Sequence, residues 1–100
     1  MVVGVGRIQL LLYDNHSLKG TRQVVRKTLD RIRSRFSIAV AEVGDQDLWQ
    51  SIILGVAVVG SDSRVVRSVM DKVVNFIEEL HLSEVVDVQT EILHFGDHGR

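Results

Sequence analysis

Seven cations lie between residues 17 and 35: Lys19, Arg22, Arg26, Lys27, Arg31, Arg33 and Arg35, against a single anion, Asp30. The whole chain carries 12 Lys and Arg against 13 Asp and Glu, a net charge of −1. The rest of the molecule is therefore acidic. Folding does not require such asymmetry; it acts on partners and on solubility. Guanidinium forks and ammonium groups neutralise phosphates, so the chemistry this segment offers is contact with an RNA backbone. Lys19, Arg22, Arg26, Lys27, Arg31 and Arg33 are the expected phosphate contacts. Wound as a helix, the segment puts Lys19, Arg22, Arg26 and Arg33 on one flank, and Lys27, Arg31 and Arg35 continue around the solvent side. The competing reading is a solvated face whose cations pair with acids elsewhere, which is the usual fate of a charge run.

Residues 42–50 form the second concentration of functional groups. Glu42, Asp45 and Asp47 flank a tight turn, with Trp49 and Gln50 just beyond. Carboxylates in a turn suit a hard cation, but the ligand order of a calcium loop is missing, so no metal is expected. Glu42, Asp45, Asp47, Trp49 and Gln50 are read instead as a protein-facing contact. The plainer alternative is a polar hairpin turn anchored by Trp49. His94, Asp97 and His98 could trap a transition metal, but a chain terminus supplies nothing to orient the ligands. His16 precedes Ser17, yet Ser17 is better explained as a helix cap than as a nucleophile. With no Ser/His/Asp constellation, neither enzymatic activity nor a cofactor is expected. Gly4-Val5-Gly6 lies inside a strand pattern and lacks the third glycine and helix start of a dinucleotide fingerprint. The chain has no cysteine, which excludes disulfides, thiolate catalysis and Cys-based zinc sites.

These groups must be positioned by a small scaffold. One hundred residues at 45% hydrophobic content allow one domain, residues 1–100, with a modest core. Residues 2–13 alternate as a strand, with Gly4, Gly6, Ile8, Leu10 and Leu12 on one face. The basic segment follows as a helix whose inner stripe is Leu18, Thr21, Val25, Thr28, Leu29, Ile32 and Phe36. Residues 37–43 and 48–59 read as two strands about the acidic turn. The latter is apolar on both faces in its second half and so belongs at the centre of a sheet. A second helix runs to about residue 80 with Val66, Val69, Val73, Phe76, Ile77 and Leu80 inward. A last strand to about residue 93 alternates Val86, Val88, Thr90 and Ile92 with Asp87, Gln89, Glu91 and Leu93. Residues 94–100 are expected to be a flexible tail.

The order βαββαβ predicts an α+β, ferredoxin-like fold: a four-stranded antiparallel sheet, order 4-1-3-2, with two helices on one face. The open face then has a polar half (Arg7, Gln9, Asp87, Gln89, Glu91) and an apolar half (Ile53, Ala57, Val59), the latter a surface for homo-oligomer formation. Its outward positions on the central strands carry no aromatics, so base stacking on the sheet is not expected. An acylphosphatase of this fold needs a strand-borne asparagine, whereas Asn15 falls in a turn and Asn75 in a helix. No secretory leader pattern and no apolar run of membrane-spanning length are present, which points to a cytoplasmic protein with no membrane partner.

The stretches Ser17-Leu18-Lys19-Gly20-Thr21-Arg22-Gln23-Val24-Val25-Arg26 and Ala41-Glu42-Val43-Gly44-Asp45-Gln46-Asp47-Leu48-Trp49-Gln50 resemble the two signature segments of the YlxP-like family. These are small bacterial proteins known as a domain of unknown function. The likeness covers nearly the whole chain. Lys19, Arg22 and Arg26 match the family's basic stripe, while Gly20 and Thr21 replace part of its first segment. The resemblance implies a ferredoxin-like fold. It also implies a role near ribosome assembly or translation, because the family's genes often neighbour those of translation initiation and ribosome-binding factors. It supplies no catalytic residues. The expected function is thus a non-enzymatic factor that binds ribosomal RNA or a ribosomal particle through its basic first helix. The alternative is a dimeric regulatory or interaction module that binds a protein or small ligand and no nucleic acid.

Overall fold

A computed structural model describes residues 1–13, 17–44 and 51–96. The elements are β1 (Val2–Leu12), α1 (Leu18–Arg35), β2 (Ala39–Gly44), β3 (Ser51–Gly60), α2 (Ser63–Glu79) and β4 (Ser83–His94). All strand pairs are antiparallel and the sheet order is β2-β3-β1-β4. This is the ferredoxin-like arrangement that the element order predicts.

The period-two pattern of β1 decides which face the helices cover. Val2, Gly4, Gly6, Ile8, Leu10 and Leu12 are all buried, and the intervening residues are exposed or half-buried. The two glycines admit close approach of α2. A Cβ on Gly4 would lie 2.5 Å from Val66 Cγ1 and 2.6 Å from Met70 Sδ. The core joins Ile8, Leu10, Ile52 and Leu54 of the central strands to Val25 and Ile32 of α1 and to Val66, Met70, Val73 and Ile77 of α2. Each such side chain contributes roughly 1.5–3 kcal/mol by leaving water.

Local details depart from the sequence reading where periodicity is interrupted. In α1, Leu18 is 50% exposed, and Val24 packs on the core in its place. In α2, Met70 is an inward residue that the heptad-like valine pattern does not reveal. β4 carries a bulge: Gln9 faces Asp87 but Leu10 faces Val85. The extra residue is Val86, which turns outward and is exposed, while Val85 packs on the core. A bulge changes the face of every residue beyond it, so simple alternation misplaces Val86. His94 belongs to β4, and the Phe95 N–H donates to the Met1 carbonyl at 2.9 Å. The expected tail therefore does not begin at residue 94, because β1 still holds the chain there.

Candidate nucleic-acid interface

The basic helix starts where its cap dictates. The Ser17 hydroxyl accepts the Gly20 N–H at 3.0 Å, satisfying one of the amides a helix N-terminus leaves open. Its buried stripe is Thr21, Val25, Thr28 and Ile32. The two threonines tolerate full burial because their hydroxyls donate to the Ser17 and Val24 carbonyls at 3.2 and 2.8 Å. Arg33 and Arg35 occupy the last turn, where cations complement the helix dipole.

The cations of α1 fall into two groups. Arg22 is a strap to the sheet: Nη1 and Nη2 donate to Glu42 Oε1 and Oε2 at 2.6 and 2.8 Å, a bidentate pair. Its side chain is 36% exposed and that of Glu42 only 9%. Arg33 is a second strap, with Nη2 donating to the Val40 carbonyl at 2.8 Å. This bond covers one of the open backbone groups of an edge strand. Arg35 lies over the Phe76 ring, 5.3 Å from its centroid, and Phe76 meets Phe36 edge-on at 5.6 Å. Three cations thus help to hold α1 on β2 and α2. Lys19, Arg26, Lys27 and Arg31 are exposed, and their side chains form no hydrogen bond or ion pair with other described residues. They span about 18 Å along the helix axis, at 1.5 Å per residue.

Between the two straps runs a cleft of about 220 Å³, lined by Arg22, Val25, Arg26, Leu29, Asp30 and Arg33. All six residues belong to α1: Val25 and Leu29 supply its apolar lining, and three arginines and one aspartate the rest. Of the expected flank, Arg22, Arg26 and Arg33 line this groove together, and the helical period puts Lys27 and Arg31 on the neighbouring side of the helix.

Of the acidic-turn residues expected to face a protein partner, only Glu42 is described; Asp45, Asp47, Trp49 and Gln50 lie outside the described residues. Glu42 itself is drawn under α1 by Arg22, which commits its carboxylate to an internal contact. A signal for this pairing is present in the sequence. Glu42 shares a strand face with buried Val40, and a carboxylate on a covered face requires a partner. Among the described residues, no group of three His, Asp or Glu side chains converges as a metal site.

The open sheet face has the two expected halves. Val5, Arg7, Gln89 and Glu91 line a polar hollow of about 280 Å³. Val5, Ala39, Ala41, Gly55 and Ala57 line an apolar one of about 320 Å³. Val43 and Val59 at its border are 59% and 67% exposed. Ile53, expected as part of the exposed apolar half, is buried at 5%; the Gly44 backbone lies against its side chain. Among the described residues, no helix is long and apolar enough to cross a membrane.

A ferredoxin-like domain whose helix layer carries a cationic ridge and whose sheet is open defines the class. Residues 3–90 match the family model "Protein of unknown function (DUF503)", and the chain belongs to this family. It is 30% identical over 90 residues, 90% of this chain and 98% of the relative, to the "Uncharacterized protein YlxP" of Bacillus subtilis (strain 168). Among solved structures it is similar to "protein YJCS" from structural genomics, at a TM-score of 0.59 and 11% identity, covering 92% of this chain and 99% of that one. A de novo designed protein with ferredoxin fold aligns over 97% of this chain and 89% of its own, at a TM-score of 0.48 and 12% identity.

Proposed function

We propose that this protein is a non-enzymatic RNA- or ribosome-associated factor that meets the RNA backbone with the solvent side of α1. The observation that carries the reading is the division of labour among the cations. Arg22, Arg33 and Arg35 hold the helix in place. Lys19, Arg26, Lys27 and Arg31 stand exposed without an acid partner among the described residues. A fully solvated helix face normally carries interspersed acids, and here only Asp30 interrupts the cations. These exposed cations read phosphates and shape.

The test is the affinity for structured ribosomal RNA fragments across a salt series. Four phosphate contacts give a log–log slope of roughly −3 to −4. Combined reversal of Arg26, Lys27 and Arg31 to Glu flattens the slope and leaves the fold intact. No binding at low salt removes α1 from the proposal. Arg22 is unsuitable for this reversal despite lying on the same flank, because a glutamate there would confront Glu42.

The apolar half of the open face favours a second reading, a dimeric interaction module. Val43 and Val59 expose more than half of their surface beside a hollow of small residues. Apolar surface of this kind is what self-association covers. This reading predicts concentration-dependent association without salt-sensitive RNA binding.

A further inference from the structure

We infer that the cleft between the two arginine straps of α1 is a subsite for one unpaired guanine nucleotide of the bound RNA; this inference rests on the RNA-binding reading above. The argument starts from Asp30. A cleft built only to hold phosphate gains nothing from a carboxylate on its wall, since like charges repel at short range. Yet Asp30 lines this cleft with Arg22, Arg26 and Arg33. The complementary ligand must therefore combine an anionic part with an edge that donates hydrogen bonds. It must also have an apolar surface, because Val25 and Leu29 form the floor.

A nucleotide has all three properties. The phosphate pairs with guanidinium groups, and the base lies on the aliphatic floor beside the straps. Arg22 and Arg33 are already oriented by Glu42 and the Val40 carbonyl. Their planar groups are thus available as stacking surfaces with little further loss of rotamer freedom. Asp30 selects among bases. An ionised carboxylate has two acceptor oxygens and no donor. Guanine presents N1–H and N2–H side by side, which matches both oxygens. Adenine and cytosine present one exocyclic amine, and uracil a single N–H between two carbonyls that the carboxylate repels. The groove is small: about 220 Å³ is below the roughly 300–1,000 Å³ of sites for drug-sized ligands. A guanine paired in a stem has its N1–H and N2–H engaged, so the base must be unpaired.

The experiment measures binding of a short fluorescent oligo-uridine, the same oligomer with one central guanosine, that guanosine paired in a hairpin stem, and free GMP. The wild-type protein is expected to prefer the unpaired guanosine by roughly 5- to 100-fold over oligo-uridine, the range of a bidentate base contact. In D30N the preference falls to near unity, while affinity for oligo-uridine holds or rises. Asp30 is exposed, and an unchanged melting temperature verifies that D30N folds. Equal binding of all oligomers by the wild-type protein overturns the subsite and leaves backbone binding standing. Retention of the preference in D30N overturns the role of Asp30 and with it the inference. GMP binding as tight as the guanosine oligomer assigns the cleft to a free nucleotide and overturns its place in RNA recognition. No binding of any oligomer at low salt overturns the RNA-binding reading itself.

Discussion

At the scale of single residues, the pair Arg22 and Glu42 matters most. Bidentate contact at 2.6 and 2.8 Å with a carboxylate only 9% exposed means that either side chain depends on the other. Removing the arginine leaves a carboxylate under the helix without its counter-charge. R22A is therefore expected to destabilise the fold by about 1–3 kcal/mol, less than a fully buried pair because the arginine is partly in water. The E42A/R22A double variant loses less than the two single losses added, and urea denaturation of the four proteins in the cycle measures the difference. Additive losses would mean that the pair contributes nothing as a pair. Lys19, Arg26, Lys27 and Arg31 predict the opposite profile: their substitution by alanine changes stability by less than about 0.5 kcal/mol and acts on RNA affinity.

At the scale of elements, two contacts set how closely and where the helices end on the sheet. The packing of α2 on β1 depends on Gly4, where even a methyl group would lie 2.5 Å from Val66 Cγ1. G4A is expected to destabilise by about 1–3 kcal/mol through overpacking, read as a lowered midpoint in denaturant. If α2 could shift at no cost, the midpoint would not move. The C-terminus of α2 is held differently. His81 has φ of 54°, and its N–H donates to the Glu78 carbonyl at 3.2 Å. This is the left-handed residue that commonly ends a helix and is usually glycine. H81G relieves the Cβ strain and is expected to stabilise by about 0.5–1 kcal/mol, visible as a higher melting temperature.

At the scale of the whole molecule, the two layers present different surfaces. The helix layer presents cations on α1. The open sheet presents Glu84, Asp87 and Glu91 along β4, and Val43 and Val59 across the sheet. On the proposed reading, RNA approaches from the helix side, and the acidic sheet edge disfavours contact from the other. If the apolar half of the sheet pairs with a second copy, V43D/V59D abolishes concentration-dependent association in sedimentation equilibrium and leaves the RNA salt slope unchanged. Loss of both together would tie RNA binding to the dimer.

Much of this protein is legible along the chain because hydrophobic periodicity and caps are local. Alternation in residues 2–12, the Ser17 cap and the two-sided apolar strand near residue 56 point to one sheet order and one covered face. The cationic ridge is equally visible, since it needs only the sequence and the helical period. The fate of each cation is not local. Arg22 and Glu42 are 20 residues apart, and they meet only because α1 crosses β2 with that flank turned toward the edge strand. The same contact takes Glu42 from the surface and places it under the helix, and Arg22 and Arg33 both line the groove beside Asp30. The bulge at Val86 is likewise a property of the pairing with β1, not of β4 alone. Sequence therefore determined the elements, their order and the sign of the surface charge. Tertiary structure decided which charges neutralise one another and which stay exposed, because pairing depends on distances between segments that local periodicity does not encode.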